Sequence, residues 1–92
     1  HLPHAVGIVI GDGCLVGSDC TIYQHVTLGR RDVAIPSYPV IGAGVVISAG
    51  AQILGPVSIG DESVIGANAV VLNDVPAQTV AVGVPAKNIL KT

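Results

Sequence analysis

The 92-residue sequence predicts an all-β fold, a parallel β-helix in which short strands wind around a narrow axis, and three observations support it. Aliphatic residues recur every six positions at Ile10, Val16, Ile22 and Leu28, then at Ile41, Ile47, Ile53, Ile59, Ile65 and Val71. That period is neither the ~3.6 of a helix nor the ~2 of a simple strand. Four residues after each aliphatic comes a second position held mostly by small or β-branched types: Cys14, Cys20, Val26, Val45, Ala51, Val57, Ser63, Ala69 and Val75. Finally, the chain is 50% hydrophobic yet has no Phe, Trp or Met, as a prism too narrow for them requires.

Taken in order, each hexapeptide reads as a short strand with two inward positions and a corner. The corners fall on Asp12-Gly13, Ser18-Asp19, Asp61-Glu62, Ala67-Asn68 and Asn73-Asp74, residue types that stabilise tight turns. Three hexapeptides close a coil of eighteen residues, and coils stacked at about 4.8 Å satisfy one another's backbone groups. Cys14 and Cys20 occupy equivalent inward slots, where a free thiol packs as a small hydrophobe. From Leu28 to Ile41 the period breaks. Arg30, Arg31, Pro36, Tyr38 and Pro39 make a poor strand, so residues 29–40 are expected as a loop extruded from the coil. The pattern resumes at Ile41 and dissolves after Val75, so 76–92 are expected to cap the last coil and cover its edge.

The length allows one domain, residues 1–92. No stretch approaches the roughly 18 apolar residues of a spanning helix. No basic segment precedes an apolar core at the start, so a cytoplasmic location is expected. A net charge of −2 with four cations argues against a nucleic-acid surface. The chain has no Met, and it is expected to be the C-terminal part of a longer one.

Four segments in order resemble the hexapeptide acyltransferases, most closely the serine acetyltransferase branch. They are 2–11 (LPHAVGIVIG), 24–29 (QHVTLG), 48–55 (SAGAQILG) and 82–87 (VGVPAK). The resemblance implies a left-handed coil, against the usual right-handed crossover. It also implies transfer of acetyl from acetyl-CoA to a hydroxyl, and a homotrimer with active sites between subunits. An alcohol is a poor nucleophile until a base removes its proton, and histidine suits that task at neutral pH. By resemblance the base is His4, and the repeat adds its own hint: His4 stands six before Ile10, where an aliphatic belongs. His25, at a corner, reads as a surface residue, a substrate contact or a substitute base. The resemblance places Gly29, Ala49 and Ala67 along CoA and Lys87 at a CoA phosphate.

Two departures bear on the acceptor. Pro3 replaces an acid of the family, and Ser37-Tyr38 replace an Arg-His pair before Pro39. Neutral groups do not pair with an amino acid's charges, so the sequence favours a sugar or polysaccharide precursor, with Tyr38 and His25 as substrate contacts. Serine is the alternative acceptor, and a non-catalytic β-helix scaffold is a further alternative. His1, His4 and His25 match no zinc-site spacing, and no metal is expected.

Overall fold

The computed structural model describes residues 6–31 and 37–90, and among these it holds strands and corners but no helix. The strands are β1 (Val9–Ile10), β2 (Leu15–Val16), β3 (Thr21–Ile22), β4 (Thr27–Gly29), β5 (Val40–Ile41), β6 (Val46–Ile47), β7 (Gln52–Leu54), β8 (Ser58–Ile59), β9 (Val64–Ile65), β10 (Val70–Val71), β11 (Thr79–Val82) and β12 (Lys87–Leu90). They stack into the three faces of a left-handed prism. The first sheet is β1-β4-β7-β10, the second β2-β5-β8, and the third β3-β6-β9-β11-β12. Every pairing is parallel except β11 with β12, where the chain turns back on itself.

Register records the insertion. Partners are Val9 and Thr27 between β1 and β4, eighteen residues apart, but Thr27 and Gln52 between β4 and β7, twenty-five apart. Seven residues are therefore looped out after β4. Of the loop expected over 29–40, Gly29 ends β4 and Val40 opens β5, while 32–36 lie outside the described residues.

Both inward series fill the axis as the spacing predicts. From Cys20 to Val75 every member is buried, and Ile47, Ile53 and Ile65 are fully enclosed. The first coil differs: Ile10 and Val16 are 41% and 40% exposed. Inward side chains lean on the coils on both sides of them, and among the described residues these two have a coil on one side only.

The stretch expected as a cap is more regular than its sequence. Val71 still pairs eighteen residues back with Ile53, but Val75 bridges Ile59, sixteen back. Two residues have been lost at this corner. Val75 consequently takes a large inward slot, and the rule continues in a new phase through buried Thr79 and Ala81. Side chains take over the bonds of the shortened corner. Ser58 N–H donates to Asp74 Oδ1 at 2.8 Å. The enclosed Ser63 hydroxyl donates to Pro76 O at 2.7 Å and accepts from Thr79 N–H at 3.3 Å. Ser63→Ala leaves both groups unmet, and is expected to cost about 1–3 kcal/mol. The check is a lower denaturant midpoint at unchanged slope.

Candidate active site

Two inward residues per hexapeptide fill the interior, so chemistry must sit on the outside of the prism. The candidates gather at the corner between the third and first sheets. It is a column of two-residue turns, Val6–Gly7, Gln24–His25, Ala49–Gly50 and Ala67–Asn68. Backbone bonds join them: His25 N–H donates to Val6 O (2.9 Å), Gly50 N–H to Gln24 O (3.0 Å) and Asn68 N–H to Ala49 O (2.9 Å).

The second residue of each turn is left-handed, with φ of 68° at Gly7, 60° at His25, 75° at Gly50 and 58° at Asn68. Glycine and a side chain alternate for a steric reason. The His25 ring lies where a Cβ on Gly7 would be, 2.9 Å from Cε1, and the Asn68 amide lies where one on Gly50 would be. Each side chain thus rests on a bare glycine one coil below.

His25 is exposed at this corner, Ala49 is half-buried and Ala67 is exposed. Above them the chain rounds the same corner again, with Val70 N–H donating to Gly83 O and Ala86 N–H to Val70 O. That turn delivers Lys87, exposed, beside Val82 at the start of β12. From Gln24 to Lys87 the corner climbs four strand spacings, about 19 Å. A smooth strip of that length, with small residues midway and an ammonium at its upper end, suits an extended ligand with an anionic terminus. Among the expected cofactor positions, Ala49, Ala67 and Lys87 therefore share one edge.

Gly29 does not join them. It stands across the first sheet, about 13 Å from His25 along four extended residues. Tyr38 belongs to that far side too: its ring lies across the glycines between β1 and β2, where a Cβ on Gly11 would come 2.5 Å from Cε1 and one on Gly13 would overlap the ring. The expected substrate contacts, His25 and Tyr38, are thus on different edges of one chain. His4, the expected base, and His1 lie outside the described residues.

Both cysteines are free thiols, facing the core as expected. Burial pushes the Cys14 thiol above its ordinary range, against a lowering by the Gly11 backbone, so it stays protonated at neutral pH. Gln24, an amide toward the lower end of the column, lies outside the residues that the sequence singles out. The six-residue repeat carries no signal there, because it restricts the two inward positions and not the first residue of a corner.

Comparisons with known proteins agree with this architecture. Residues 38–73 match the bacterial transferase hexapeptide (six repeats) profile, and 7–33 match that of the hexapeptide repeat of succinyl-transferase. A serine acetyltransferase of Mycobacterium tuberculosis is 51% identical over 89 residues, covering 96% of this chain and 39% of that protein. The structure of a Brucella abortus serine acetyltransferase in complex with coenzyme A superposes with a TM-score of 0.94 at 41% identity, covering 99% of this chain and 37% of the other. Soybean serine acetyltransferase complexed with serine gives a TM-score of 0.91 at 46% identity, over 96% of this chain and 37% of the other. The chain thus spans about two fifths of each of these relatives. With repeat, register and corner column all in agreement, the chain belongs to the hexapeptide-repeat acyltransferases, in their serine acetyltransferase-like branch.

Proposed function

We propose that the protein is an acetyl-CoA-dependent O-acetyltransferase whose acceptor is serine. The observation that carries this reading is the similarity over nearly the whole chain to proteins named serine acetyltransferase, one solved with coenzyme A and another with serine. The preference for a sugar, drawn from Ser37-Tyr38, gives way to it. Tyr38 packs against Gly11 and Gly13, so its side chain answers to the fold as well as to the acceptor. The cation that a carboxylate needs is also available in the same loop, from Arg30 or Arg31.

In this reading acetyl-CoA lies along the corner column, its arm against Ala49 and Ala67 and a phosphate at Lys87. His4 takes the proton from the serine hydroxyl as that oxygen attacks the thioester carbon. The carbon–sulfur bond breaks, and the proton passes on to the departing sulfur. Gly29 and Tyr38, on the other edge of the first sheet, meet the column only if a neighbouring copy supplies one of the two edges. A trimer with sites between copies satisfies this, and Leu15 and Val40, exposed on the second sheet, supply an apolar surface for it.

The test is release of free CoA thiol by the full-length protein offered acetyl-CoA with serine or with a panel of sugars. Serine is expected to be the efficient acceptor. Turnover on a sugar with none on serine would overturn the reading.

A further inference from the structure

Gln24 carries a polar atom that the fold leaves unmet. Its Oε1 is shielded from solvent and accepts no hydrogen bond, the one buried side-chain oxygen or nitrogen in that condition among the described residues. Other buried polar side chains are engaged: Ser63 bonds Pro76 and Thr79, and Thr79 Oγ1 donates to Ala77 O at 3.2 Å. An unmet buried carbonyl carries a desolvation penalty that an apolar residue of the same shape avoids. Val6 and Ala49, in the turns below and above, show that the corner takes such residues.

We propose that Gln24 positions the acyl donor: its side chain turns on binding, so that Oε1 leaves its shielded position and accepts a hydrogen bond from an amide N–H of the pantetheine arm. This rests on the reading of the protein as a CoA-dependent transferase. The chemistry selects the partner: a carbonyl oxygen only accepts, a thioester has no hydrogen to donate, and the arm's secondary amides do. Place in the column selects which amide. Gln24 precedes Ala49 by one coil and lies at the opposite end from Lys87, so it meets the sulfur end of an arm whose phosphates sit at Lys87. A flexible arm on a smooth strip can slide, and one fixed bond near the thioester sets where its reacting carbon stops.

The test is calorimetric titration of the full-length protein and its Gln24→Met variant with CoA and with 3′-phosphoadenosine 5′-diphosphate, which lacks the arm. The variant is expected to bind CoA about 5- to 50-fold more weakly and the nucleotide as wild type does. Without ligand it is expected to melt at the wild-type temperature or above, since an unmet acceptor has been removed. CoA affinity within twofold of wild type, equal loss on both probes, or a lowered melting temperature would each overturn the role. A wild-type protein that binds no CoA would instead sink the transferase reading, and this role with it.

Discussion

His4→Ala in the full-length protein is expected to lower kcat by about 10^2- to 10^4-fold, the range general-base assistance supplies. KM for acetyl-CoA should change little, because the proposed contacts of the donor lie on the corner column. The expectation joins chemistry to pattern: an alcohol needs a base, an imidazole with an ordinary pKa of about 6.5 is half available near neutrality, and His4 breaks the aliphatic repeat. Activity should accordingly fall as acid protonates the imidazole, since the protonated ring accepts nothing. Wild-type turnover in the variant removes His4 from the reaction. The same loss in His25→Ala, with none at His4, hands the role of base to His25.

Ile53→Ala is expected to cost about 2–5 kcal/mol of stability, the toll of a cavity where an enclosed branched side chain stood. Ile53 lies in β7 with β4 on one side and β10 on the other, so its slot has little freedom to collapse. The denaturant midpoint of the variant against wild type measures it. A loss under about 1 kcal/mol would mean that the slot collapses around the deleted atoms.

Most of the coil was legible because each inward slot demands a residue of one kind, and a six-residue repeat of Ile, Val and Leu advertises that demand. Legibility failed where the demand could be met another way. At Asp74 and Val75 a side-chain oxygen replaced a backbone acceptor and two residues dropped out, so the phase moved and Thr79 and Ala81, small and in part polar, no longer looked inward. Candidate site residues were legible by a different route, through resemblance, because corners face solvent and lie outside the aliphatic repeat. That route placed Ala49 and Ala67 on one edge correctly, since eighteen residues is one coil. It set Gly29 beside them, although register carries it to the far side of the first sheet. It passed over Gln24, whose significance is a missing partner, a property of three-dimensional packing alone.

The turns in which a side chain rests on the glycine beneath it fix the order in which this surface can change. His25 needs Gly7 bare and Asn68 needs Gly50 bare, and on another corner Glu62 stands in the same relation to Gly44. A larger residue cannot enter at Gly50 until Asn68 has shrunk, whereas His25 can be exchanged while Gly7 stays as it is. Along the corner that carries His25 and Asn68, then, such side chains stand on alternate coils, about 9.6 Å apart. Chemistry on that corner that needs two of them closer together must recruit a different edge or a different copy of the chain.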